Sequence, residues 1–335
     1  MLTFTLRRLL LAIPTLLVIS LIIFLLVDLA PGSPMSEIPL TVPPEVRLKM
    51  IAALGADQPV YVRYILWLRQ FFWVEPANLV DGWFGTNFVG GEQRILSWQS
   101  RSPVFTVIGQ RIPQTLTVIG TAYLVGIAIA MPIGIYSAYR QYSVFDQLGT
   151  LVAMIGFSVP TFFSGTLFII IFAVWLHWFP TKYDTTLAVT DWASFILQIK
   201  QMAMPVMVLA LANAAAISRY MRSSMLENMG QDYVRTARAK GMTERVVVLK
   251  HVLRNSLIPV VTVIALGIPS IFGGAIITEN LFGVNGIGAA LIGAISANDL
   301  PMVQTLAFIF AVLIVVFNLI ADILYGLLDP RIRYE

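Results

Sequence analysis

The sequence predicts an all-α polytopic membrane protein: six transmembrane helices, with a small helical extracytoplasmic subdomain after the first span. Three observations carry that prediction. Of 335 residues, 58% are apolar and 12% charged, and the mean hydropathy is +0.81, as for a chain whose solvent is largely lipid. The apolar residues gather into runs of about 20, the length that carries a helix across about 30 Å of hydrocarbon. The basic residues cluster in the loops beside those runs, where they set topology; this excludes nucleic acid as a partner. Cysteine is absent, so no disulfide or thiol chemistry is available.

The first run, Leu9 to Ala30, follows Arg7 and Arg8 as a signal peptide would. It is too long for a signal core, and Pro31-Gly32 stands where a small-x-small cleavage site belongs, so it reads as an uncleaved span. In the loop that follows, Pro44 and Glu45 open a helix that Gly55 ends, and a second helix begins after Pro59. Its Trp67, Phe71, Phe72 and Trp73 read as an interfacial aromatic belt in preference to a docking surface for a soluble partner.

Five further runs complete the six: Pro113 to Ala138, Leu148 to Phe179, Ile199 to Ile217, Leu257 to Thr278 and Met302 to Leu328. The Leu148 run exceeds one upright span and contains Pro160, which predicts a tilted, kinked helix or an interfacial extension. Alanines 210, 212 and 214–216 let helix backbones approach closely, placing the fourth span inside the bundle. Pro132, Pro160, Pro205 and the glycines near Pro269 loosen helices, as suits a bundle that lines a pathway.

Counting Lys and Arg puts both termini in the cytoplasm. Arg7, Arg8, Arg140, the basic residues from Arg219 to Arg254, Arg331 and Arg333 then lie inside, against Lys182 and Lys200 in the later outer loops. The expected organisation is a cytoplasmic N-terminus and first span (1–30), an extracytoplasmic subdomain (31–112), a five-span core (113–328) with a cytoplasmic loop at 218–256, and a cytoplasmic tail (329–335).

Within that loop, Asp232 to Pro259 is a polar, basic island that reads as two short helices broken at Gly241. Asp232 can cap the first, and Gly241 can end it in a left-handed conformation. Tyr233, Ala237 and Lys240 can share one face, flanked by Arg235, Arg238 and Ala239.

Catalytic chemistry is not expected. No G-x-x-x-x-G-K-[ST] loop occurs, so the chain cannot hold a nucleotide in the P-loop manner, and no H-E-x-x-H or G-x-S-x-G signature is present. His177 and His251 are the only histidines and stand apart; no catalytic, cofactor-binding or metal-ligating residues are assigned. Asp28, Glu279 and Asp322 lie near span ends, within reach of the headgroups. The shortage of midplane carboxylates argues against the alternative of an ion-coupled secondary transporter. An intramembrane enzyme would need a nucleophile and base in facing spans, which the sequence does not display.

Five stretches carry a family resemblance: LRRLLLAIPTLLVISLIIFLLVDLAPGSP, RIPQTLTV from Arg111, SRYMRSSMLENMGQDYVRTARAKGM from Ser218, HVLRNSLIPVV from His251, and NLIADILYGLLDPRIRY. The chain resembles the inner-membrane permease subunits of the dipeptide, oligopeptide and nickel class of binding-protein-dependent ABC importers, over essentially its whole length. The family's cytoplasmic motif is EAA, three residues, then Gly. Here Gly241 and Ala237 match it, while Arg235 and Thr236 replace its first two letters, as is usual in the peptide class.

The resemblance implies a type I ABC importer permease fold in a bacterial inner membrane. It implies that Asp232, Tyr233, Arg235, Thr236, Ala237, Arg238, Ala239, Lys240 and Gly241 form a coupling helix seated in a groove of a partner ATPase. It also implies a second homologous permease subunit, two ATPase subunits that hold ATP and Mg, an extracytoplasmic solute-binding protein, and import of peptides or similar solutes by alternating access. No cofactor is expected in this chain. Beyond the fifth span, Thr278, Glu279, Phe282, Gly286 and Gly288 match the family's T-E-x-x-F-x-x-P-G-x-G stretch, a candidate outer gate, with Asn285 in place of the proline.

Overall fold

A computed structural model describes residues 2–30 and 58–328. Over these residues the backbone is helix and turn, apart from one isolated antiparallel bridge between Leu96 and Pro103. The helix expected from Pro44 to Gly55 lies outside the described residues. Among the described residues, five continuous helical segments are long and apolar enough to cross a membrane: Thr5–Asp28, Val104–Tyr139, Trp192–Met229, Glu244–Ile268 and Leu300–Leu324. Two bent pairs bring the number to seven if each is one span: Val144–Ser158 with Thr161–Trp175, and Ile276–Phe282 with Ile287–Ser296.

In chain order the helices are α1 (Leu2–Asp28), α2 (Val60–Arg69), α3 (Glu75–Phe84), α4 (Val104–Thr115), α5 (Thr121–Tyr139), α6 (Val144–Ser158), α7 (Thr161–Phe168), α8 (Trp192–Met229), α9 (Asp232–Ala239), α10 (Glu244–Val246), α11 (Leu253–Phe282), α12 (Ile287–Ser296) and α13 (Leu300–Leu328). Widened π turns join α2 to α3, α4 to α5 and α10 to α11, and extend α7 to Trp175.

Several boundaries differ from the expected ones for local reasons. The second span starts at Val104, and Pro113 lies inside it. α8 starts at Trp192, ahead of Ile199, because Asp191 and Ser194 form a reciprocal capping box: Ser194 N–H donates to the Asp191 carboxylate at 2.7 Å, and Asp191 N–H to Ser194 Oγ at 3.0 Å. Between α6 and α7 the chain turns by 104°, since Pro160 forces Val159 out of the helical region (φ −84°, ψ 124°).

The chain forms two compact units. The first comprises Pro113–Ala289 with Met1–Leu9 and Leu313–Glu335; the second comprises Leu10–Ile112 with Ala290–Val312. The first unit is organised on α8, whose Ala210, Ala214 and Ala215 are buried, as expected of a central helix. α5 packs closely on it: a side chain at Gly134 would meet Met221 and the Ser218 carbonyl. One core cluster contains Val118, Ala122, Met204, Val208 and Phe282, and another Ala130, Met221, Met225, Val248 and Val252. Arg222 of α8 holds Asp146 of α6 through Nε and Nη2 at 2.6 and 2.8 Å. Arg8 of α1 pairs with Asp322 of α13 at 3.0 Å.

The second unit has an aromatic core. Trp67 and Phe71, 6% and 8% exposed, pack with Phe24, Phe105 and Phe308. They are therefore core residues, in contrast to the expected surface belt. Spacing of four puts them on one helical face, while Trp73 is exposed and Phe72, half exposed, lays one edge of its ring against Phe71 and Phe308. Buried Glu75 is held by Arg94 at 2.6 Å and by Ile95 N–H at 3.1 Å. Asp299 accepts from the Ser97 hydroxyl, from Trp98 N–H at 3.0 Å and from Gln99 N–H at 3.3 Å, joining segments about 200 residues apart in the chain.

Candidate coupling helix and bent outer segment

The basic island folds as the eight-residue helix α9, between α8 and the restart at Glu244. Its N-cap is Gln231, without a side-chain capping bond. Asp232 thus does not cap the helix as expected. It is the first helical residue, with Oδ1 3.6 Å from Arg235 Nη1, where a carboxylate still favours the positive end of the helix dipole. The stop is the expected one. Gly241 has φ +76°; its N–H donates to the Arg238 carbonyl at 2.9 Å and Met242 N–H to the Ala237 carbonyl at 3.4 Å, a Schellman pair. Nothing lies within 4 Å of where a Cβ would sit, so the backbone angle alone calls for glycine.

Two side chains of α9 turn inward. Val234 and Ala237 are buried among Met221 and Met225 of α8 and Val247, Val248 and Val252 of the following π turn. Ala237 therefore does not share an outward face with Tyr233 and Lys240. Three residues from Val234, it continues the buried stripe. The outward surface is Tyr233, Arg235, Thr236, Arg238, Ala239, Lys240 and Gly241, all exposed. Tyr233 donates its hydroxyl to Asn228 Oδ1 at 2.8 Å, tying it to the end of α8. Arg238 donates to Glu244 at 2.7 Å, and the carboxylate raises the guanidinium pKa further above its ordinary value, so this charge is permanent. Beneath the loop, Ser224 Oγ donates to the Ser256 carbonyl at 2.9 Å, stapling α8 to α11, while Ser256 Oγ shares its one hydrogen between the Val252 carbonyl at 2.9 Å and the Ser224 carbonyl at 3.2 Å. The result is a short ledge of permanent positive charge with one aromatic residue, rigidly footed and carrying no activated nucleophile.

The residues expected at the outer gate come together around a buried carboxylate. α11 ends at Gly283 (φ +71°) and α12 leaves at 86° to its last turns. Thr278, Glu279 and Phe282 are 1–2% exposed, and Gly286 and Gly288 are buried as well. Glu279 accepts from the Thr115 hydroxyl at 2.8 Å and from Ala289 N–H at 3.0 Å; Thr115 Oγ1 in turn accepts from Ile287 N–H at 2.8 Å. A Cβ at Gly286 would overlap the Glu279 carboxylate and the Thr115 hydroxyl, and one at Gly288 would crowd Ile276. Asn285, in the proline's place, donates its N–H to Gln114 Oε1 at 3.1 Å, a bond proline cannot make. Thr115 and Gln114 were not singled out from the sequence, although both lie in the RIPQTLTV stretch that carried the resemblance.

The comparisons with known proteins agree with this architecture. Residues 130–334 match the family described as binding-protein-dependent transport system inner membrane component, and residues 1–119 match its N-terminal companion. The chain is similar to the oligopeptide transport system permease protein AppB of Bacillus subtilis, with 39% identity over 100% of both chains. It is similar also to the glutathione transport system permease protein GsiC of Salmonella typhimurium (36%) and the dipeptide transport system permease protein DppB of Escherichia coli (35%), each over 100% of both chains. Among solved structures, a chain of the MetNI methionine ABC transporter in an inward-facing conformation shares the fold, with TM-score 0.53 and 17% identity over 68% of this chain and 99% of that one. Full-length identity above a third, two family matches and a shared helical fold converge: the chain belongs to the inner-membrane permease components of binding-protein-dependent ABC transport systems, multi-span proteins of the bacterial inner membrane.

Proposed function

We propose that this chain is one of two permease subunits of an ATP-driven importer, which receives peptides or similar small solutes from an extracytoplasmic binding protein and passes them inward by alternating access. ATP with its Mg is held and hydrolysed by two partner ATPase subunits; this chain converts their closure into helix movement. The observation that carries the reading is α9: two side chains anchor it in the core, and the rest present a cationic, Tyr-bearing ledge at the loop between two membrane-length helices. A ledge of that shape suits a helix-in-groove contact. The permease relatives whose names specify oligopeptides and dipeptides support the cargo class.

In this reading both termini and α9 face the cytoplasm, in keeping with the Lys and Arg of those segments, and the bent Glu279 segment faces outward, as do residues 58–112, whose five arginines belong to a loop long enough to translocate regardless of charge. The core runs from 113 to 328, with 31–112 as the extracytoplasmic subdomain. Thr278 to Gly288 forms the outer gate, which Glu279 holds closed on Thr115. The test is made on the complete importer in proteoliposomes. Arg235→Glu with Lys240→Glu should abolish binding-protein-stimulated ATP hydrolysis and peptide uptake while the permease subunits still copurify. Uptake at the wild-type rate in that double variant would refute the coupling role.

A further inference from the structure

We infer that the helical rod from Val60 to Phe84 lies in the plane of one membrane leaflet, with its bulky outer face in contact with lipid acyl chains. α2, the π turn after it and α3 form one uninterrupted run of helix. It is long enough to span, but it carries Arg63, Arg69, Glu75 and Asp81 and is not among the segments apolar enough to do so. Its contacts fix where it lies instead.

Depth is read from α1, along which two adjacent side chains of α2 reach opposite ways. The Tyr64 hydroxyl is 2.8 Å from Ser20 Oγ, whose own hydrogen goes to the Leu17 carbonyl at 2.7 Å, so the tyrosine is the donor. Ser20 stands well inside the membrane-length segment Thr5–Asp28. Arg63 reaches Asp28 at 2.5 Å, eight residues nearer the end of α1, a rise of about 12 Å. An arginine stretched toward the helix end, beside a hydroxyl turned into the span, marks a backbone at the boundary of hydrocarbon and headgroups. Among the described side chains of α1, Ser20 and Phe24 alone are buried, one turn apart, and the Phe24 ring meets Tyr64 at 5.3 Å.

The rod keeps that depth. Asp28 and Leu300 line one cavity, so the end of α1 and the start of α13 lie together. Phe308 is eight residues into α13, again about 12 Å from its end. Its ring takes Trp67, Phe71 and Phe72 at 5.3, 4.8 and 5.8 Å. Contacts at like depth on two spans lay α2 across them, along the membrane plane.

The outer face names the occupant. Of the residues exposed between Val60 and Phe84, only Arg69 is charged, and Glu92 pairs with it at 2.8 Å. Tyr61, Ile65, Trp73, Leu79, Trp83 and Phe84 dominate that surface, too much apolar area to be left to water. Protein neighbours within a membrane favour Gly, Ala and Ser at their contact, where backbones approach; here Gly82 is the one such residue exposed. Bulky side chains with Trp and Tyr among them suit lipid at the acyl and headgroup boundary.

The chain has no cysteine, so a single introduced one can carry a nitroxide label. Ile65→Cys, Trp73→Cys and Leu79→Cys, all at exposed positions that leave the core untouched, are each labelled in the whole importer, with partner chains free of cysteine. The complex is placed in vesicles of phosphatidylethanolamine and phosphatidylglycerol, and labels at Val18→Cys and Leu29→Cys serve as depth markers. In power-saturation electron paramagnetic resonance, membrane-soluble oxygen should relax all three rod labels more than a water-soluble nickel chelate does. Their depths should agree and fall between those of the two markers. Stronger relaxation by the chelate would put the face in water and overturn the assignment. So would labels that neither reagent reaches, the mark of a covering protein such as the second permease subunit, or depths that change steadily from Ile65 to Leu79, the mark of a rod crossing the leaflet. No nucleotide, binding protein or peptide enters the measurement, so its outcome is independent of the coupling test.

Discussion

Arg222 grips Asp146 through two N–H donors, and the carboxylate also accepts from Tyr142 N–H at 2.9 Å, so one buried side chain fixes α8, α6 and the turn before α6. Asp146 is almost wholly buried, whereas about a quarter of the Arg222 side chain remains exposed (28%). Arg222→Ala should therefore cost about 2–3 kcal/mol, less than removing a partner from a wholly buried pair. Arg222→Lys should recover only part of this, because an ammonium cannot make the two-pronged contact. Thermal unfolding of the detergent-solubilised complex, with Asp146→Ala completing a double-mutant cycle, measures the coupling.

Thr115 is the hinge of the Glu279 network, donating to the carboxylate and accepting from Ile287 N–H. Thr115→Val keeps the shape and leaves both neighbours short of a partner, at a cost of about 1–3 kcal/mol. Thr115→Ser should restore stability. A melting-temperature series over the three proteins checks this, and equal values for valine and serine would remove the hydroxyl from the argument.

Gly241→Ala places a Cβ on a residue at φ +76° and should cost about 1–2 kcal/mol, borne locally by α9. Gly241→Asn should be milder, since asparagine tolerates the left-handed region. Hydrogen exchange of the Gly241 and Met242 amides, which close the Schellman pair, should rise in the alanine variant and less in the asparagine one.

Asp81 accepts from Phe88 N–H, the Thr86 hydroxyl and Val89 N–H, and these bonds lower its pKa from the ordinary 3.8. A carboxyl depressed by folding adds stability that is present above the unfolded value and lost as pH falls through the folded one. The turn from Gly85 to Val89 should therefore be indifferent to pH from neutrality down to about 4 and loosen below it. Asp81→Asn should loosen it at every pH, with amide exchange at Phe88 and Val89 as the readout.

The spans were legible because lipid demands long apolar runs: five of the six expected runs fall on continuous helices to within two residues, and the Leu148 to Phe179 run is split at Val159 and Pro160 and leaves the helix after Trp175. The bend at Pro160 was legible as an interruption but not as a 104° turn, because the angle depends on what α7 packs against. The early start of α8 could have been read from Asp191 and Ser194, a local signal that lies outside the apolar run. Gly241 was legible as a left-handed stop because its cause is local. The inward turn of Ala237 was not, since Val234 and Ala237 choose their side only when Met221 and Val248 are present. Thr115 and Glu279 are 164 residues apart, and nothing in either neighbourhood announces the other.

The paired hydroxyls of Ser224 and Ser256 close a loop of 32 residues at its base. Parting α8 from α11 beneath α9 means unmaking the bond from Ser224 Oγ to the Ser256 carbonyl, at a cost of about 0.5–1.5 kcal/mol, and the longer contact from Ser256 Oγ to the Ser224 carbonyl. The point where the chain leaves α8 for α9 and the point where it settles into α11 are thus tied to each other, and α9 stands on a closed base instead of on two separate helix ends.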